Sequence, residues 1–165
     1  MTTNWEFMAE CLRTELADYG GLLHLFEAQQ SSLFGRDPQA VLRFATEIEA
    51  QARVAADSRE RRAQAVATFA TAHSRPANST VRSLLPLVTS DARPLIEALI
   101  AEVNLLLHRV RRTCRHNHML LSRAVAMHQE TMQHLRPNAF MKTYSPAGRL
   151  AVAVENTPVT LRAAG

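Results

Sequence analysis

The residues that could do chemistry in this chain are few, and their spacing is unfavourable to most of it. Of the seven histidines, His116 and His118 stand two apart and so point different ways on a helix, while His128 and His134 stand six apart. No His-Glu-x-x-His run and no cysteine pair accompanies them, so no metal centre is expected. Cys11 and Cys114 each fall within or beside an apolar stripe, which predicts two buried thiols rather than a nucleophile or a disulfide framework. Cys114, His116 and Asn117 match a catalytic trio by type, but near neighbours along a helix splay around its axis. Gly35-Arg36-Asp37-Pro38 is a turn with no strand before it, and no glycine-rich phosphate loop occurs. The expectation is a protein that is not an enzyme and holds neither metal nor cofactor.

Two polar features remain. Arg109, Arg111, Arg112, Arg115, His116, His118 and Arg123 form the most basic stretch. A basic helix can follow a phosphate backbone, and a one-sided stripe would favour that use. Here Arg111, Arg115 and His118 share one face while Arg109, Arg112 and His116 share another, so a solvated surface or contact with an acidic protein fits better than nucleic acid. The whole-chain balance of 19 Lys and Arg against 15 Asp and Glu, net +4, permits acidic partners without requiring them. The second feature is Asn117, a polar amide set in an apolar helical row, where it either fixes register or presents a binding surface. Beyond it Leu120, Leu121, Ala124, Met127, His128 and Leu135 make an apolar ridge that suits a helical partner wherever the rest of the chain leaves it uncovered.

The element that positions both features is Asp91–Arg136, a glycine-free stretch with its single proline, Pro94, near the start. As one helix it is about 69 Å long, too long for a compact domain of this size. Leu95, Leu99, Val103, Leu106, Val110, Thr113, Asn117, Leu120, Ala124, Met127 and Thr131 recur along it at three-to-four spacing, and a second row, Ile96, Ile100, Leu107, Cys114, Leu121 and Leu135, lies beside it and widens the stripe. Its packing partners lie upstream. Trp5, Met8, Leu12, Leu16, Tyr19, Leu22, Leu23 and Phe26 define a first helix from about Asn4 to Ser32, with Gly20-Gly21 marking a bend, a close contact or simple tolerance. Gly35 is read as ending it, Asp37 as capping the next helix and Pro38 as opening it, so the two helices are antiparallel neighbours. The second helix runs from Pro38 to about Ala72, with Val41, Leu42, Ala45, Ile48, Ala52, Ala55, Val66 and Phe69 as its inner face. Its charged segment Asp57–Arg62 is expected to be solvated and mobile. Ser79 or Thr80 caps a brief helix with Val81, Leu84, Leu85 and Leu87, and Thr89-Ser90-Asp91 offers a cap for the long one. After Arg136-Pro137, Leu150–Val154 alternates like a strand but has no evident second strand, so residues 137–165 read as a flexible tail.

The fold class is therefore all-α: an elongated antiparallel bundle or coiled coil of three long helices and one short one, spanning residues 1–136, with a C-terminal tail at 137–165. Aromatic residues make up only 5% of the chain, which favours helix over sheet, and no run is long and apolar enough to span a membrane. With no signal peptide evident, a cytoplasmic protein without membrane insertion is expected.

Asn117-His118-Met119-Leu120-Leu121, the helical stretch to Leu135, and then Thr143-Tyr144-Ser145-Pro146-Ala147-Gly148 together resemble the C-terminal half of the FlgN family of flagellar type III export chaperones. The first two helices match more loosely, through an opening amphipathic helix, an Asp-containing connection and a second helix beginning Val41-Leu42. The resemblance implies a chaperone that holds hook-associated proteins, clients like FlgK and FlgL, keeps them from assembling early and delivers them to the flagellar export gate. It places Asn117, Leu120 and Leu121 where the client-binding helix begins, and matches Tyr144 and Gly148 to a post-helical motif read as the contact with the export gate. Two other readings of the same periodicity stand beside it: a structural coiled coil that forms a homodimer through the long helix, and a basic helical nucleic-acid binder.

Overall fold

The computed structural model describes residues 4–135, 142–144 and 150–152. Four helices follow one another: α1 (Asn4–Phe34), α2 (Pro38–Ala72), the short α3 (Val81–Leu84), which continues into a 3-10 turn at Leu85–Leu87, and α4 (Arg93–Leu135). Two strands, β1 (Lys142–Tyr144) and β2 (Leu150–Val152), come last. The chain divides into two compact units, Met1–Met119 and Leu120–Gly165.

In the first unit, α1 and α2 are antiparallel, as Glu15 meets Arg62, Asp18 meets Ser58, and Gly21 meets Gln51. The turn between them is tighter than its glycine suggests. Arg36 N–H donates to the Leu33 carbonyl and Asp37 N–H to the Ser32 carbonyl, a Schellman closure that places Arg36, not Gly35, in the left-handed region with φ 54°. Asp37 then caps α2, its carboxylate accepting from Ala40 N–H at 3.0 Å. The far end of α2 repeats the device: Ser74 N–H reaches Thr71, Arg75 N–H reaches Ala70, and Ser74 has φ 55°. Of the adjacent glycines, Gly21 makes a close approach, because a Cβ there would lie 3.3 Å from the Gln51 amide, while Gly20 faces open space.

The core is densest where the start of α1, the end of α2, α3 and the start of α4 converge. Met8, Leu12, Phe69, Ala70, Leu84, Val88 and Ile96 are all at most 2% exposed. Each large side chain among them contributes about 1.5–3 kcal/mol by leaving water. Thr80 caps α3 by accepting from Ser83 N–H, and α4 is tied to this connection by Arg93. The Arg93 guanidinium donates to the Leu85, Pro86 and Val88 carbonyls at 3.0, 3.2 and 3.3 Å, satisfying groups that the short helix leaves open.

Several details of the expected inner faces are corrected. On α4 the buried row is Ile96, Leu99, Val103, Val110 and Asn117, with Leu95 turned outward. On α2, Leu42 is 70% exposed and Ala52 is also exposed, because the seam passes through Val41 and Ala55 instead. The charged segment of α2 is not wholly solvated either: Ser58 is buried and donates to the Asp18 carboxylate, and Arg62 is drawn onto buried Glu15. Cys11 is buried as expected, but Cys114 is exposed, although it stands at helical spacing from both Val110 and Asn117.

In the second unit, Leu150–Val152 does have a partner. It pairs antiparallel with Lys142–Tyr144, Tyr144 opposite Leu150 and Lys142 opposite Val152. A three-residue strand is too short to show alternation, so the sequence did not reveal it. The remaining tail residues, Gly148 among them, lie outside the described residues.

Candidate functional site

The long helix carries the candidate site in both units. In the first, Asn117 is 2% exposed and its Nδ2 donates to the Phe26 carbonyl at 2.8 Å and to Gln29 Oε1 at 3.1 Å, while its Oδ1 has no partner. Gln29, itself 6% exposed, is the matching polar residue of the α1 seam. Asn117 is thus an internal clamp between α4 and α1. Two more polar contacts flank it: Gln30 Nε2 donates to His116 Nδ1 at 2.8 Å, and Arg109 approaches Glu27 at 3.7 Å on the surface. Arg111, Arg112, Arg115 and His118 are exposed, as a solvated basic face should be.

The second unit holds the rest of the ridge. Leu120 and Leu121 are half-buried, Ala124 and His128 are exposed, and Met127 and Leu135 are 68% and 72% exposed. Val125, 51% exposed, stands two residues before Met127 and so on another side of the helix. At helical spacing Leu121, Ala124, His128 and Leu135 follow the direction of the row Ile96, Leu99, Val103, Val110 and Asn117, with Leu120 and Met127 flanking it. Tyr144 ends β1.

Sequence reading missed a polar layer elsewhere in the first unit. The Glu15 carboxylate is 1% exposed and lies 2.5 Å from Arg62 Nε, a charge contact without hydrogen-bond alignment. Burial, and next the neighbouring Glu15 carboxylate, push the Tyr19 hydroxyl above its ordinary pKa. Burial likewise raises the Cys11 thiol, against the pull of Arg61. Gln51 Nε2 donates to the Asp18 carbonyl at 3.1 Å, joining this layer to the helix crossing at Gly21. The signal is in the spacing: Glu15 lies at the heptad position between Leu12 and Tyr19, a seam position that a search for apolar residues alone passes over in favour of Leu16. No group of His, Cys, Asp and Glu among the described residues could hold a metal, and no described helix is long and apolar enough to cross a membrane.

With a helical hairpin, a long third helix and the post-helical Thr-Tyr in place, comparison with known families is decisive. The model of the family described as FlgN protein matches residues 4–151. The chain belongs to the FlgN family. FlgN proteins are flagellar chaperones, not enzymes, and as a family they bind hook-associated proteins and the export apparatus. Neither the curated proteins nor the solved structures gave a match.

Proposed function

We propose that this FlgN protein binds the helical terminal segment of hook-filament junction proteins in the cytoplasm, keeps it from assembling early, and delivers it to the flagellar export gate. The observation that supports this reading is the apolar face of α4, which continues past Asn117 into exposed Met127 and Leu135. A disordered amphipathic client segment folds into a helix along Leu120, Leu121, Ala124, Met127, His128 and Leu135. The entropy lost in ordering it holds the affinity to a level that permits later release. No covalent step is involved. Asn117 acts by fixing α4 against α1 rather than by touching the client, and Tyr144 and Gly148 are the candidate contacts with the gate.

Calorimetric titration with C-terminal peptides of hook-associated proteins tests the reading. Binding that is lost in Met127→Glu, with unchanged circular dichroism, supports it; no heat at high micromolar peptide concentration sinks it. A concentration-independent dimer that blocks peptide binding would instead favour the structural coiled coil.

A further inference from the structure

The first unit contains a cleft of about 490 Å³ that the client reading does not use. Such a volume is in the usual range for small-ligand sites, roughly 300–1,000 Å³. Its apolar lining comes from Leu12 of α1, Val81 of α3, and Ile100, Val103 and Leu107 of α4. Its charges come from Glu15, Arg59, Arg62 and Arg82. Glu15, almost completely buried, is taken up by Arg62. Arg59 and Arg82, from two different elements, are exposed and have no acidic partner among the described residues. The cleft therefore combines an aliphatic floor with two uncommitted guanidinium groups, while the buried Glu15–Arg62 pair holds its wall in place.

We propose that this cleft binds the C-terminus of a polypeptide that ends in an aliphatic residue. The terminal side chain enters the apolar floor, and the α-carboxylate meets Arg59 and Arg82, whose planar forks match a carboxylate. Exposed Asn104 on α4 also lines the cleft. Its amide can both donate to and accept from the peptide group preceding the terminal residue. A fatty acid shares the alkyl body and the carboxylate but offers nothing to Asn104. An internal acidic side chain offers no aliphatic group on the carbon that bears its carboxylate. The site lies wholly within the first unit and does not depend on how the ridge from Leu120 to Leu135 is used.

The test is amide NMR on the full-length protein, titrated with acetyl-Ala-Ala-Leu as the free acid, the same peptide as its C-terminal amide, and octanoate. The free acid is expected to shift Leu12, Val81, Val103 and Leu107 at millimolar concentration. The amidated peptide is expected to bind at least about tenfold more weakly, a difference of about 1.4 kcal/mol. Arg59→Gln with Arg82→Gln, both at exposed positions, should abolish the preference for the acid and leave the spectrum otherwise folded. Equal affinity for acid and amide, or no shift at these residues, overturns the proposal. Octanoate binding as tightly as the peptide acid would assign the cleft to a fatty acid and overturn it as well. The α4 titration above gives its own result whichever way this one falls.

Discussion

Asn117→Asp tests the clamp between α4 and α1, because it preserves side-chain size while replacing the donating amide with an ionisable carboxyl group. In the native protein Nδ2 donates to the Phe26 carbonyl and to Gln29 Oε1. An ionised carboxylate donates to neither, and at 2% exposure it has little water to turn to. The protein can keep the new carboxyl neutral, which limits the damage. Relative to an unfolded pKa near 3.9, staying protonated at pH 7 costs about 4 kcal/mol, at 1.36 kcal/mol per pH unit. The protonated acid retains one donor where the amide has two, and the missing hydrogen bond adds about 1 kcal/mol. These two terms bound the loss at pH 7 at about 5 kcal/mol. The folded-state pKa of the introduced group is raised, so the loss grows as pH rises from about 4 toward that pKa and shrinks on acidification. At pH 5 the same bound falls to about 2.5 kcal/mol. Asn117→Leu forfeits the same bonds but also removes the unpartnered Oδ1, and is expected to be milder. Urea denaturation followed by circular dichroism at both pH values measures all of this. A deficit for Asn117→Asp below about 0.5 kcal/mol at pH 7, or one independent of pH, would refute the buried-clamp geometry.

Other consequences are open to equally direct measurement. Arg36→Gly and Ser74→Gly should each stabilise the protein by about 1 kcal/mol in denaturant melts, since both native residues hold the left-handed backbone that glycine adopts without penalty. Arg62→Met should destabilise by about 3 kcal/mol by stranding buried Glu15, and adding Glu15→Leu should recover a large part of that loss. A thiol reagent should label Cys114 rapidly in the folded protein and reach Cys11 only after unfolding. Because the Cys11 and Tyr19 pKa values are raised on folding, the protein binds those protons more tightly than the unfolded chain does. Its stability should therefore hold below about pH 9 and decline above it, with Tyr19→Phe removing the tyrosine share of that decline.

The helices were legible in the sequence because their apolar residues and caps agree. Asp37-Pro38 marks the start of α2, and Thr80 starts α3. The inner faces were less legible, because the seam positions are not uniformly apolar. In α1 the heptad row reads Met8, Leu12, Glu15, Tyr19, Leu22, Phe26, Gln29; in α2 it reads Val41, Phe44, Ile48, Gln51, Ala55, Ser58, Arg62, Ala65, Phe69. Following only hydrophobic residues leads off these rows to Leu42 and Ala52, and makes Asp57–Arg62 appear fully solvated. Asn117 was conspicuous by itself, but its role depended on Gln29, far away in the chain and unremarkable there. The ridge from Leu120 to Leu135 was legible as a pattern, whereas its exposure depends on where the other elements run. The cleft could not be read at all, since Leu12, Arg59, Arg82 and Leu107 meet only in the folded unit.

The Arg93 guanidinium, spread over three carbonyls of the preceding connection, sets a length as well as a contact. One side chain spans Leu85 to Val88, so an added or deleted residue between Val88 and Arg93 is expected to break the register of these three bonds. Among the described residues, the stretch from Arg75 to Ser79 is held by Arg75 N–H on the Ala70 carbonyl and by the local turn in which Ser79 folds back on Pro76, with no side chain spread over several carbonyls. Chains that share this fold should therefore vary in length before Thr80 and stay metred after Leu85. Lysine, a point charge without a fork, is a poor substitute at position 93.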